Sequence, residues 1–142
     1  MARYFKFTVH SAQFIVLLLA FPLTLMFSSC QEGRDAGDLL GQWRMVDSDS
    51  QYISFSGSIT QFRYVNDGVL QHYVFGNFQH VGDSLFIQCY SINEEQKATD
   101  TELIENTFEM KPFSDIRVKI EVLDSKHLSL SKNGKMWNFY KY

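Results

Sequence analysis

Leu128-Ser129-Leu130-Ser131-Lys132-Asn133-Gly134-Lys135-Met136-Trp137-Asn138-Phe139 decides the fold of this chain. Apolar and polar residues alternate on both sides of an Asn-Gly pair, the dipeptide that tolerates positive φ at both centres of a type I′ turn. A two-residue turn there sets Leu130 opposite Trp137 and Leu128 opposite Phe139, so all four side chains share one face. Just upstream, Ile116, Val118, Ile120 and Val122 alternate with Arg117, Lys119 and Glu121. That is a third strand with one dry and one wet face, joined to the hairpin by a turn at Asp124–Lys126.

The middle of the chain repeats this grammar. Leu40–Val46 and Tyr52–Phe55 read as strands, and Ser58–Val65 runs into Asn66-Asp67-Gly68. Val69–Phe75, Phe78–Val81 and Leu85–Ser91 follow, separated by Gly76-Asn77 and Gly82-Asp83. Three short glycine turns thus stitch four strands. Parallel crossovers need a dozen or more residues, so the strands run antiparallel and up-and-down. About eight short strands of this kind close on themselves to leave no edge, which predicts an all-β barrel over residues 39–142. Turns at Asp67-Gly68 and Gly76-Asn77 put Phe62, Tyr64, Gln71, Tyr73, Phe75, Phe78 and His80 on one face. Arg63, Val65, Leu70, His72, Val74, Gln79 and Val81 take the other, and the aromatic face is expected inside. An eight-stranded interior is either filled by side chains or holds one small ligand. Sixteen aromatics after residue 29 favour filling.

Asn93–Asp115 breaks the pattern. It carries seven acids against Lys97 and Lys111, and Thr99 with Glu102 has capping-box spacing. The expectation is a solvated acidic connection with a short helix over Asp100–Glu105; the other reading is a lid or partner site, because long connections in compact domains are often functional. An acidic lid repels anions, so a natural ligand would be neutral or cationic, or would enter at the other end.

Residues 1–29 are an address. Arg3 and Lys6 precede an uncharged run, Phe14–Phe27, too short for the roughly 20 residues of a permanent span. Ser28 and Ser29 then lead to Cys30, the layout of a cleavable secretory signal. This ending resembles a bacterial lipoprotein box, which implies a signal over 1–29, acylation of Cys30 and a tether over 30–38. Fatty-acyl chains of the palmitate kind contribute about 0.8 kcal/mol per buried CH₂ and hold a protein firmly on a membrane. The implied location is the outer membrane, periplasmic or surface-facing. Loss of Arg3 and Lys6 leaves the mature chain at −5. With Cys30 acylated, Cys89 has no disulfide partner.

An acidic balance argues against a nucleic-acid partner, which calls for a basic stripe. No nucleophile elbow, phosphate loop or dinucleotide fingerprint occurs, so no enzyme, cofactor or catalytic residue is expected. His72 and His80 fall on opposite faces and cannot share a metal. Cys89 alternates with Leu85 and Ile87 and reads as a small buried hydrophobe.

Leu40-Gly41-Gln42-Trp43 resembles the Gly-x-Trp signature of lipocalins. Together with Asp67-Gly68, Gly82-Asp83-Ser84-Leu85 and Leu123–Leu130 running on to Trp137-Asn138-Phe139, it is similar to small lipocalin-like lipoproteins of Bacteroides-type bacteria. The resemblance implies a barrel that binds a small apolar ligand, with Tyr64, Tyr73 and Trp137 as the residues placed at it. It also implies a basic residue over Trp43, for which Lys135 and Lys141 are available. The alternative is an anchored protein-interaction or inhibitor module with a filled core.

Overall fold

The structure, a computed structural model, describes residues 36–142. Residues 1–29, expected as a signal, Cys30 and most of the expected tether lie outside the described residues. Among those described, eight strands form one closed barrel in which each pairs with the next: β1 (Gly41–Met45), β2 (Gln51–Ser56), β3 (Ile59–Asn66), β4 (Val69–Val81), β5 (Ser84–Tyr90), β6 (Ile116–Leu123), β7 (His127–Lys132) and β8 (Lys135–Lys141). β1 closes on β8, with Trp43 opposite Lys141 and Met45 opposite Phe139. The C-terminal hairpin has the expected register, Leu130 on Trp137 and Leu128 on Phe139. Asn133 and Gly134 take the positive φ values, 51° and 80°, that their turn demands.

Trp43 is wholly buried beneath a 3₁₀ turn, Gly37–Leu39. Its indole N–H donates to the Leu39 carbonyl at 2.8 Å, and the Lys141 ammonium sits 4.4 Å from its ring centre. Lys141 is therefore the residue that closes over Trp43. Lys135 lies instead 5.4 Å from the Trp137 ring.

Gly76-Asn77 is not a turn. β4 runs through it unbroken for 13 residues. A Cβ on Gly76 would meet the Gln88 carbonyl oxygen at 3.1 Å, Ile87 Cγ2 at 3.1 Å and Thr60 Cγ2 at 3.2 Å. The glycine marks a close approach of three strands, a role that strand-interior glycines often play.

Phe62, Tyr64 and Phe78 lie on the interior side as expected, but along residues 72–75 of β4 the two faces are exchanged. A bulge between Tyr64 and Val65 shifts the β3–β4 register by one residue, so Tyr64 faces His72 and Phe62 faces Val74. A one-residue slip exchanges the two faces of a strand. Phe62, Val74 and Phe78 are buried inside, whereas Tyr73 is 40% exposed on the outer wall beside Phe75.

The acidic connection is not a solvated loop. It folds as a 3₁₀ turn (Glu94–Gln96), a helix α1 (Lys97–Glu102) and a π turn (Leu103–Thr107). Its start is capped by Asn93, whose side chain accepts from the Gln96 N–H at 3.0 Å, rather than by Thr99 with Glu102. Leu103, Ile104, Phe108, Met110 and Phe113 are buried in one cluster with the strand side chains. Acids cover the outer side of this segment and its apolar residues plug the barrel. Four of the seven acids are nonetheless engaged: Asp100, 3% exposed, faces His72, Glu105 accepts from the Phe113 N–H at 2.9 Å, Glu109 accepts from the Lys135 ammonium, and Asp115 accepts from Arg117.

Candidate functional site

In a barrel the first place to look is the interior, and here it is occupied. The Trp137 indole donates to the Phe108 carbonyl at 2.8 Å, and the Phe108 ring packs edge-on against Phe62 with centres 5.0 Å apart. Gln51 Nε2 donates to the Thr107 carbonyl at 3.0 Å, and His72 Nε2 lies 2.6 Å from Asp100 Oδ1. Lys132 Nζ donates to the Lys111 carbonyl at 2.6 Å. β2, β3, β4, β7 and β8 each hold the plug by at least one such tie.

Of the three residues placed at a ligand by the sequence, Tyr64 packs half-buried against the core and Trp137 is buried and engaged by Phe108. Tyr73 is on the outer wall, so the structure brings the first two to the interior and leaves the third outside. Cys89 is buried, and burial, followed by the nearby Asp100 charge, pushes its thiol up to about 12. Such a thiol carries almost no thiolate at neutral pH and makes a poor nucleophile. His72 and His80, expected on opposite faces, share one side of β4, because the strand continues through Gly76. They are eight residues apart, roughly 26 Å at strand rise, and share no ligand. Among the described residues no group of three or more His, Cys, Asp or Glu could hold a metal ion.

Open space lies outside. A groove of about 970 Å³ crosses the outer wall of β4, β5 and β6. Asn77 faces Gln88, Gln79 faces Phe86, and Phe86 faces Arg117 across adjacent strands. His80 and Asp115 complete the rim. Arg117 Nε donates to both Asp115 oxygens, at 3.0 and 3.2 Å, while its guanidinium carbon is 5.9 Å from the Phe86 ring centre. The ion pair cancels its own charge. What remains is a set of exposed amides around a half-buried aromatic ring, suited to a polar partner of low net charge. Sequence reading missed this groove because it cut β4 at the residue on which the groove is built, Asn77.

The sequence matches the lipocalin-like domain family over residues 25–142, and the chain belongs to that family. Two solved structures share the fold. A lipocalin-like protein from Bacteroides uniformis is 24% identical, with a TM-score of 0.60 over 75% of this chain and 100% of that one. An uncharacterized protein from Bacteroides eggerthii is 20% identical, with a TM-score of 0.59 over 73% of this chain and 99% of that one. No curated protein matches the sequence. Among the described residues no helix is long and apolar enough to cross a membrane.

Proposed function

We propose that this protein is a lipid-anchored, non-catalytic envelope module that recognises a partner protein on the outside of its barrel. The observation that carries this reading is the filled interior. Phe108, Ile104 and Met110, all nearly inaccessible, take the space that a lipocalin-like fold offers to a small apolar ligand. A binding pocket for such a ligand is an apolar concavity of a few hundred Å³ with a few convergent polar groups. Here the indole of Trp137, the one polar donor of the buried β7–β8 pairs, is spent on the chain itself. The groove over Asn77, Gln88 and Arg117 is left as the recognition surface.

Acylation of Cys30 supplies the anchor, and the Ser28-Ser29-Cys30 ending supports it. Cys30→Ala is expected to release the protein to the soluble fraction or leave its precursor unprocessed.

The test of the filled barrel is titration with a neutral long-chain alcohol, read by tryptophan fluorescence. Wild type is expected to show no saturable change. Phe108→Ala opens an apolar cavity next to Trp137 and is expected to gain binding, since apolar cavities of this kind take up apolar molecules. Saturable binding by wild type would overturn the reading in favour of an interior ligand.

A further inference from the structure

The wall opposite the groove carries a row of side chains in strict register. Tyr140 on β8 stands beside Arg44 on β1, Arg44 beside Tyr52 on β2, and Tyr52 beside Arg63 on β3. All four leave the barrel outward, since their chain neighbours Phe139, Trp43, Ile53 and Phe62 are buried inside. The Arg44 guanidinium lies 4.7 Å from the Tyr140 ring centre and 5.6 Å from that of Tyr142. Arg63 lies 5.6 Å from the Tyr52 ring. An arginine stacked on tyrosine presents its remaining N–H groups as a planar fork, which fits a phosphate or carboxylate.

Among the described residues neither fork is taken up by a close carboxylate. Asp49 is 3.9 Å from Arg44 and 97% exposed, and Arg63 has no salt bridge among the described residues. Nε of both arginines is buried without a hydrogen-bond partner. Exposed Leu40 and Val46 stand at the two ends of β1, and Tyr142, 68% exposed, stands beside Arg44.

We infer that this wall lies against the headgroup layer of the membrane that holds the protein, with Arg44 and Arg63 on lipid phosphates. The inference rests on the acylation of Cys30 proposed above. Six residue steps separate Cys30 from Ala36, a reach of at most about 20 Å, so an acylated barrel sits on the bilayer surface. β1 is the strand nearest the anchor in the chain. Tyrosine rings, arginine forks and scattered aliphatics together are the side chains that settle at a water–lipid boundary, apolar body inward and polar tip wet. In a closed ring of eight strands β5 is diametrically opposite β1, so this seating turns the groove at Asn77, Gln88 and Arg117 away from the membrane and toward partners.

The test is hydroxyl-radical footprinting of the acylated protein in vesicles of phosphatidylethanolamine and phosphatidylglycerol, read by mass spectrometry against Cys30→Ala protein in solution. Tyr140, Tyr142, Leu40 and Val46 are expected to oxidise more slowly on the vesicles, with Tyr90, Phe86 and Val81 unchanged. The double variant Arg44→Gln/Arg63→Gln is expected to stay anchored, keep its tryptophan fluorescence and lose that protection. Equal rates on both walls, protection of the Tyr90 wall, or protection that survives in the double variant would overturn the proposal. The mass of the Cys30 peptide from the same sample reads acylation separately, so an unmodified Cys30 marks failure of the anchor rather than of the seating.

Discussion

The indole N–H of Trp137 and the carbonyl of Phe108, 29 residues apart in sequence, meet at 2.8 Å inside the barrel. This bond ties the plug to the hairpin that defines the fold. Trp137→Phe keeps an aromatic side chain, though a smaller one, and leaves a buried carbonyl unpaired, a loss of about 1–3 kcal/mol before the cost of the space vacated. Denaturant unfolding is expected to show that loss. Hydrogen exchange should quicken in residues 100–113 before the strands, as expected for a segment that opens locally. Uniform acceleration across all strands would mean that the plug is not a separable element.

Trp43→Ala is expected to cost about 3–5 kcal/mol, the range for a large aromatic truncated in a core. The ring is wholly buried between Leu39 and Lys141, so the cavity cannot drain to solvent. A loss below about 1 kcal/mol in a denaturant titration would show that the 3₁₀ turn collapses into the space.

Gly76→Ala tests the reading of β4. Its new methyl meets a backbone oxygen of Gln88 as well as two side chains, and backbone in a paired strand has little room to move. Overpacking of this kind costs about 1–3 kcal/mol. Unchanged thermal stability would contradict the close approach of β3, β4 and β5 at this residue.

How much of this was legible in the sequence depended on how local the cause was. The hairpin at Asn133-Gly134 was readable because turn chemistry and alternation sit within twelve residues of each other. Lys141 could be narrowed to one of two candidates because few basic residues remain near the C-terminus. Gly76 was misread because its reason for being glycine is Gln88, a strand away. The bulge at Tyr64 and Val65 leaves no mark in composition, yet it moves Tyr73 from the interior to the outer wall. The plug was hidden by its own acids. Leu103, Ile104, Phe108, Met110 and Phe113 were visible as apolar residues within that stretch, and they were the signal that could have revealed it. The groove and the Tyr–Arg row each combine side chains from at least three strands, which only the register brings together.

Cys89 provides a chemical check. Its thiol is raised from 9.0 to about 12, chiefly by burial. Iodoacetamide at mildly alkaline pH is expected to leave it unmodified in the native protein and to alkylate it once guanidinium unfolds the chain. The sign for stability follows from the protons bound. Above pH 9.0 the unfolded thiol loses its proton while the folded one keeps it, so this group's contribution is intact below 9.0 and declines from there toward about 12. Rapid native alkylation would place the thiol at the surface.

Native mass spectrometry of the protein purified from its own host reads whether the barrel is filled by its own plug. The expected mass is that of the acylated polypeptide with no small apolar molecule retained. A stoichiometric apolar ligand, released when the barrel unfolds and absent from a variant that alters Tyr64 or Trp137, would contradict a filled barrel.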